Sequence, residues 1–257
     1  MSTRRACVIG HPVAQARSPV LHRYWLKQYG IDGDYSREDV APDEIGEFLA
    51  NLGTQGYVGA NITVPHKAAA YLALDHAEPV ATALKVANTL WLENGELRGT
   101  NTDVHGFLAN LDEALPEWTV EVEQAVVLGA GGGARAVVYG LLQRGLPRVV
   151  VINRTLARAR AFKVEFGDHV SACTFDELGA WLQDADLLVN TTSLGMSGQP
   201  PLAVDLARAC GLRTIDGLGM LLHQAVPAFE RFFGVKPKVT QELRDAVLAD
   251  IGKAHPK

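Results

Sequence analysis

Residues 124–155, QAVVLGAGGGARAVVYGLLQRGLPRVVVINRT, compress a strand, a glycine loop, a helix and a second strand into about thirty residues. Ala125–Leu128 is an unbroken apolar run, the pattern of a parallel strand covered on both faces. Beyond the glycines, Ala134, Val137, Val138, Leu141 and Leu142 recur at helical spacing and form one apolar stripe. Gly145 and Pro147 supply a helix stop, and RVVVIN reads as the next strand. Further strands are expected at HVSAC, DLLVNTT and LRTID, with a Thr174/Glu177 capping box opening a helix over LGAWLQ. Strands alternating with helices predict a doubly wound parallel sheet.

The loop itself, Gly129-Ala130-Gly131-Gly132-Gly133, carries Gly129, Gly131 and Ala134 in a GxGxxG/A spacing. Between a buried strand and an amphipathic helix, such glycines permit a tight turn and close backbone approach. A pyrophosphate can then rest on the helix N-terminus; a tight turn without a ligand is the alternative. The second strand ends in Asn153-Arg154-Thr155, with Arg158 one turn onward and no carboxylate. Two guanidiniums suit a ribose 2′-phosphate rather than a bare 2′-hydroxyl, so NADP is expected over NAD. Arg158 also reads as an ordinary helix-surface arginine.

The first hundred residues are α/β but organised differently. RACVIG reads as a strand, and Ser18-Pro19 as an N-cap and first helical position of a helix running to about Gly30. YVGANITV is a strand and HKAAAYLAL a helix. In NTLWLENGELRGTNTD, Asn94-Gly95 marks a two-residue hairpin turn. That turn pairs Glu93 with Glu96 and sets Asn88 opposite Asn101, so Asn88 and Asp103 gather at the hairpin's open end. Lys67 falls in the first turn of its helix, where the positive dipole end disfavours a cation and brings the neutral amine within reach of base chemistry. By position alone it reads as an exposed lysine.

The 257 residues carry a formal charge of −5, 47% hydrophobic and 21% charged residues. That composition suits a globular protein and gives no reason for nonspecific attraction to nucleic acid or anionic membrane. No apolar stretch reaches membrane-spanning length. Cys7, Cys173 and Cys210 are odd in number and never paired as CxxC, which fits reduced thiols in a cytoplasm. His11, His22, His66, His76 and His105 show no metal-ligand spacing, so each is expected at the surface or hydrogen-bonded, with no metal site.

Taken together, GHPVAQARSPVLH, GANITVPHK, ANTLW, GTNTDVHGF, GAGGGARA, INRTLAR, VNTTSLGM and IDGLGMLLHQA resemble the shikimate dehydrogenase family, in the family's order over almost the whole chain. The resemblance implies an N-terminal α/β substrate domain (1–103 and 225–257) and a Rossmann-type NADP domain (104–224). It implies NADP-linked interconversion of shikimate and 3-dehydroshikimate, with Lys67 and Asp103 as the catalytic pair. Asn61, Thr63, Asn88 and Gln224 match residues that hold the substrate hydroxyls, and Ser18 one of two serines on its carboxylate. Gly129 to Gly133, Asn153, Arg154, Thr155 and Arg158 match the NADP motifs, with Gly217 near the nicotinamide. The partner is then a small molecule, bound by a monomer or homodimer.

Three departures from the family pattern stand out. The usual His-Ser-x-Ser run is Gln15-Ala16-Arg17-Ser18 here. Ala16 donates no hydrogen bond, which lowers carboxylate affinity by roughly 1–3 kcal/mol unless Arg17 compensates. Lys85 stands where a glycine is usual, at a tight backbone position. Between Met196 and Arg213 the chain is too short for the family's further strand and loop, predicting a sheet one strand short. A quinate or related polyol-acid dehydrogenase, or a catalytically impaired nucleotide-binding member, is the alternative.

Overall fold

In a computed structural model, residues 3–192, 194, 211 and 214–254 are described. They fall into two compact units, Met1–Gly106 with Met220–Lys257, and Phe107–Gly219. The chain begins with β1 (Arg4–Gly10), α1 (Ser18–Tyr29), β2 (Gly33–Asp39), α2 (Ile45–Ala50) and β3 (Tyr57–Ile62). It continues through α3 (Lys67–Leu72), β4 (His76–Ala77), α4 (Pro79–Leu84), β5 (Thr89–Glu93) and β6 (Glu96–Thr100). The six strands form one mixed sheet in the order β2-β1-β3-β5-β6-β4.

β1 lies between two parallel neighbours, and its last five residues are buried, as its apolar sequence demands. One face of the sheet packs Cys7, Ile9, Ala60, Ile62 and Leu90 against Ile45, Leu49, Ala70 and Ala81 of the short helices. Asn94 and Gly95 adopt φ of 55° and 84°, the left-handed pair a two-residue hairpin needs, and Glu93 faces Glu96. Lys85 ends α4 at φ 52°, left-handed for a residue with a side chain. α1 departs from its expected cap. Arg17 occupies the N-cap without a side-chain bond, and Ser18 is the first helical residue.

α5 (Asp103–Ala114) leads into the second unit, followed by α6 (Trp118–Glu121), β7 (Gln124–Leu128), α7 (Gly132–Gln143), β8 (Arg148–Ile152) and α8 (Leu156–Phe166). β9 (Val170–Cys173), a 3₁₀ turn at Phe175–Glu177, α9 (Leu178–Leu182) and β10 (Leu187–Asn190) complete it. Thr174 and Glu177 form the capping box read from the sequence. All strand pairs are parallel, in the order β10-β7-β8-β9. The order reverses at β7: α7 carries the chain to one side, while β10 lands on the other. Ligands in such sheets bind beyond the carboxyl ends of the strands at this reversal.

The strand expected at LRTID does not form over Thr214–Asp216. Its polar groups are used elsewhere: Asp216 Oδ1 accepts the Leu218 N–H at 3.0 Å, and its carbonyl accepts from Asn110 at 3.1 Å. Thr214, Ile215 and Asp216 are all exposed, so no burial rewards a ladder there. Among the described residues this sheet has four strands. The shortened segment after Met196, and Cys210, lie outside those residues. The chain then returns to the first unit in α10 (Leu218–Phe233) and α11 (Gln241–Ala254). Phe229, Phe232 and Phe233 of α10 cover the second face of the six-stranded sheet, meeting Trp25, His22 and Tyr35.

Candidate functional site

Ser18, Asn61, Thr63, Lys67, Asn88, Asp103 and Gln224, drawn from five elements of the first unit and the loops beside them, line one cavity of about 280 Å³. Its chemistry starts at the open end of the hairpin. The antiparallel register carries Asn88 up to the chain turning into α5, where the Asp103 N–H is capped by Asn101 Oδ1 at 3.0 Å. Asn88 Oδ1 accepts the Thr102 N–H at 2.7 Å, which fixes the side-chain amide in one orientation. Its Nδ2 therefore faces Asp103 and donates to Oδ1 at 2.8 Å. The other carboxylate oxygen, Oδ2, accepts from Lys67 Nζ at 2.5 Å. Asp103 is almost wholly buried, whereas the Lys67 side chain keeps 23% of its surface exposed toward the cavity mouth.

Lys67 is the first residue of α3, but that helix has only six residues. The dominant charge beside its ammonium is the Asp103 carboxylate, not the partial charge of a helix end. Gly106 brings the last wall into place: a Cβ there would lie 2.6 Å from the Met220 carbonyl and 2.7 Å from Gln224 Cβ. Only glycine lets α10 approach α5 so closely, and this approach sets Gln224 and Leu221 on the cavity.

Asn61 is more fully bonded than its expected role suggests. Its Nδ2 donates to the Asn88 carbonyl at 3.2 Å and to Thr89 Oγ1 at 3.0 Å, while Oδ1 accepts from the Tyr35 hydroxyl at 2.7 Å. Tyr35, unmarked by any sequence pattern, thus holds the Asn61 side chain. Parallel register between β1 and β2 places it, a long-range fact no local pattern carries.

In the second unit, Gly129 follows β7 at the strand reversal with φ 104°. A Cβ there would lie 2.6 Å from Thr191 Oγ1, and Thr191 itself bonds the Leu128 carbonyl through its N–H at 2.9 Å. Gly131 and Gly132 differ: a Cβ on either would meet nothing within 4 Å, so side chains there would fill open space at the start of α7. That space and the helix N-terminus fit a pyrophosphate. Asn153 Nδ2 donates to the Thr155 carbonyl at 3.0 Å and holds the loop after β8. Arg154, Thr155 and Arg158 are exposed, and neither arginine has an ion-pair partner among the described residues. The set fits NADP. Gly217 is exposed, one residue ahead of α10.

The histidines depart from expectation at one position. His11 meets Asp39 at 2.7 Å, His66 the Val40 carbonyl at 2.8 Å and His76 Glu96 at 3.1 Å. His22 is fully buried and neither ring nitrogen has a partner. It stacks on Tyr35 at 4.0 Å with the planes 9° apart, because α1 turns it into the aromatic layer rather than outward. Burial lowers its pKa from 6.5 to about 3. No group of three or more metal-ligating side chains gathers among the described residues, and no described helix is long and apolar enough to cross a membrane.

Family models match almost end to end. Residues 8–90 match the shikimate dehydrogenase substrate binding domain, 112–197 the shikimate/quinate 5-dehydrogenase model, and 217–248 the shikimate 5′-dehydrogenase C-terminal domain. The chain is 53% identical to the shikimate dehydrogenase (NADP(+)) of Azorhizobium caulinodans, covering 96% of this chain and 97% of that one. The alignment spans 272 positions, more than the 257 residues here, so that relative carries residues without a counterpart in this chain. Among solved structures, the Thermus thermophilus shikimate 5-dehydrogenase in complex with NADP(H) and shikimate superposes with a TM-score of 0.81 at 32% identity, covering 96% of this chain and 99% of that one. The Corynebacterium glutamicum quinate dehydrogenase in complex with NAD gives 0.87 at 29%, with the same two coverages. With both units matched in order and half the residues shared with a near full-length relative, the chain belongs to the shikimate dehydrogenase family.

Proposed function

We propose that this protein is an NADP-dependent shikimate dehydrogenase, interconverting shikimate and 3-dehydroshikimate in aromatic amino-acid biosynthesis. The observation that carries the reading is the contact between Lys67 and the buried Asp103 on the wall of a polar cavity. When bound, NADP supplies the hydride acceptor, or NADPH the donor. The chain's own residues do the rest. Lys67 Nζ takes the proton of the reacting hydroxyl in oxidation and returns one to the carbonyl oxygen in reduction. Asp103 fixes where Nζ sits, and Asn88 fixes Asp103.

Thr63, Asn88 and Gln224 offer the substrate hydroxyls hydrogen bonds, and Asn61 offers the remaining acceptor capacity of Oδ1. Gly129 to Gly133 receive the pyrophosphate, and Arg154 with Arg158 the 2′-phosphate, while Gly217 lies near the nicotinamide. The thiols of Cys7 and Cys173, buried and unpaired, support a reducing cytoplasmic setting. The test is to mix the protein with NADP and either shikimate or quinate and follow reduced-nicotinamide absorbance. Turnover of shikimate well above quinate supports the assignment. A preference for quinate, which the Ala16 departure makes the competing outcome, reassigns the substrate, and cofactor binding without turnover of either overturns the enzymatic reading.

A further inference from the structure

Thr89 is the first residue of β5 and is fully buried, yet its hydroxyl meets Asn61, Asn88 and Thr102, all of which line the cavity. Antiparallel register sets it opposite Asn61 on β3 and opposite Thr100 on β6. Asn61 Nδ2 donates to Thr89 Oγ1 at 3.0 Å and to the Asn88 carbonyl at 3.2 Å, which spends both of its protons. Asn61 Oδ1 accepts from the Tyr35 hydroxyl, so this amide has one orientation and keeps only the second lone pair of Oδ1 for the cavity.

On its other side, Thr89 Oγ1 lies 3.2 Å from Asn88 Oδ1 and 3.1 Å from Thr102 Oγ1. Thr102 Oγ1 is in turn 3.2 Å from Asn88 Oδ1. The three oxygens close a triangle, and the two hydroxyls supply the protons that join it. Fully buried, Thr89 keeps its proton inside the triangle and has nothing to offer a ligand directly. It ties Asn61 to Asn88 instead, and Asn88 holds the Asp103 carboxylate that faces Lys67.

Resting on the shikimate reading, we infer that Thr89 is a positioning residue for the reaction. Its hydroxyl, without touching substrate, fixes Asn61 against Asn88, so that substrate grip and proton transfer share one frame. Without that hydroxyl, one N–H of Asn61 is buried with no acceptor. The amide then turns away from the orientation that presents Oδ1 to the substrate.

Steady-state kinetics with NADP and shikimate are measured for the wild type, Thr89→Val, Thr89→Ser, Asn61→Ala and the Thr89→Val/Asn61→Ala double variant. Thr89→Val keeps the side-chain shape and loses the hydroxyl. It raises KM for shikimate by about 10-fold, with a smaller fall in kcat and KM for NADP near the wild-type value. Thr89→Ser, which keeps the hydroxyl, stays close to wild type. In the Asn61→Ala background Thr89→Val adds little, because the two residues act as one unit. The inference is overturned if Thr89→Val keeps the wild-type KM, if Thr89→Ser is as impaired as Thr89→Val, or if the two losses multiply. If Thr89→Val does not fold, the serine variant decides: kinetics near wild type support the role of the hydroxyl, and a KM as high as that of Asn61→Ala overturns it. Wild-type protein that turns over neither shikimate nor quinate overturns the underlying activity, a result distinct from each of these.

Discussion

Asn88 donates to Asp103 Oδ1 at 2.8 Å, and through that bond the hairpin's open end controls the carboxylate that faces Lys67. Both partners are buried, so neither can exchange the other for water. Asn88→Ala strands Asp103 Oδ1 and the Thr102 N–H together, and stability falls by about 2 kcal/mol or more. Urea unfolding measures that loss. Turnover falls too, because the carboxylate is free to swing away from Nζ.

Removing the amine itself separates chemistry from folding. Lys67→Ala lowers kcat by about 100-fold or more while the affinity for NADPH, read by fluorescence titration, stays near wild type. Near-normal turnover in this variant would sink the assignment of the proton-transfer group.

The cofactor's phosphate is tested at the loop after β8. Arg154→Gln raises KM for NADP by about 10-fold or more and leaves KM for NAD nearly unchanged. Parallel kinetics with the two cofactors check the split. Equal losses with both would place Arg154 outside the 2′-phosphate site.

Acid sensitivity follows from His22. The folded protein excludes its proton down to about pH 3, while the unfolded chain binds one below 6.5. Stability from this residue is therefore complete above pH 6.5 and is lost as pH falls toward 3, at up to about 1.4 kcal/mol per pH unit. Between pH 7.5 and 5, wild type should lose about 2 kcal/mol more than His22→Phe, measured by urea midpoints. Identical losses in the two proteins would remove His22 as the cause.

Lys85 gives a prediction of the opposite sign. Its φ of 52° strains a residue with a Cβ, and glycine adopts that conformation without the clash. Lys85→Gly raises stability by about 1 kcal/mol, which a thermal melt reads as a higher Tm.

The legible parts of the molecule were those written in short spans. The glycine loop, its apolar strand and the striped helix after it are neighbours in sequence, and they form β7 and α7 where the pattern predicts. Asn94-Gly95 fixed a register, and that register carried Asn88 to Asp103 without further information. What stayed hidden depends on contacts between distant segments. Nothing near Tyr35 says that it bonds Asn61; β1–β2 pairing brings it there. His22 read as a surface or hydrogen-bonded histidine because its stacking partners lie on β2 and, about two hundred residues later, on α10. Thr214–Asp216 of LRTID formed no strand for a related reason, since Asp216 caps α10 and Thr214 and Ile215 stay exposed. Lys67 became readable only beside the family resemblance, because a lone lysine in a first turn carries no mark of its partner.

The tight crossing of α5 and α10 at Gly106 has a temporal side. The first unit takes its opening 106 residues from the start of the chain and its last helices from residue 220 onward. On a ribosome, the six-stranded sheet can pair early, but Trp25 and Tyr35 wait for Phe229 and Phe232 before that face is covered. The half of the protein that emerges first is therefore finished last. A stalled or truncated chain would present a bare aromatic face and an unwalled cavity, making this seam the place where nascent chains need protection from one another.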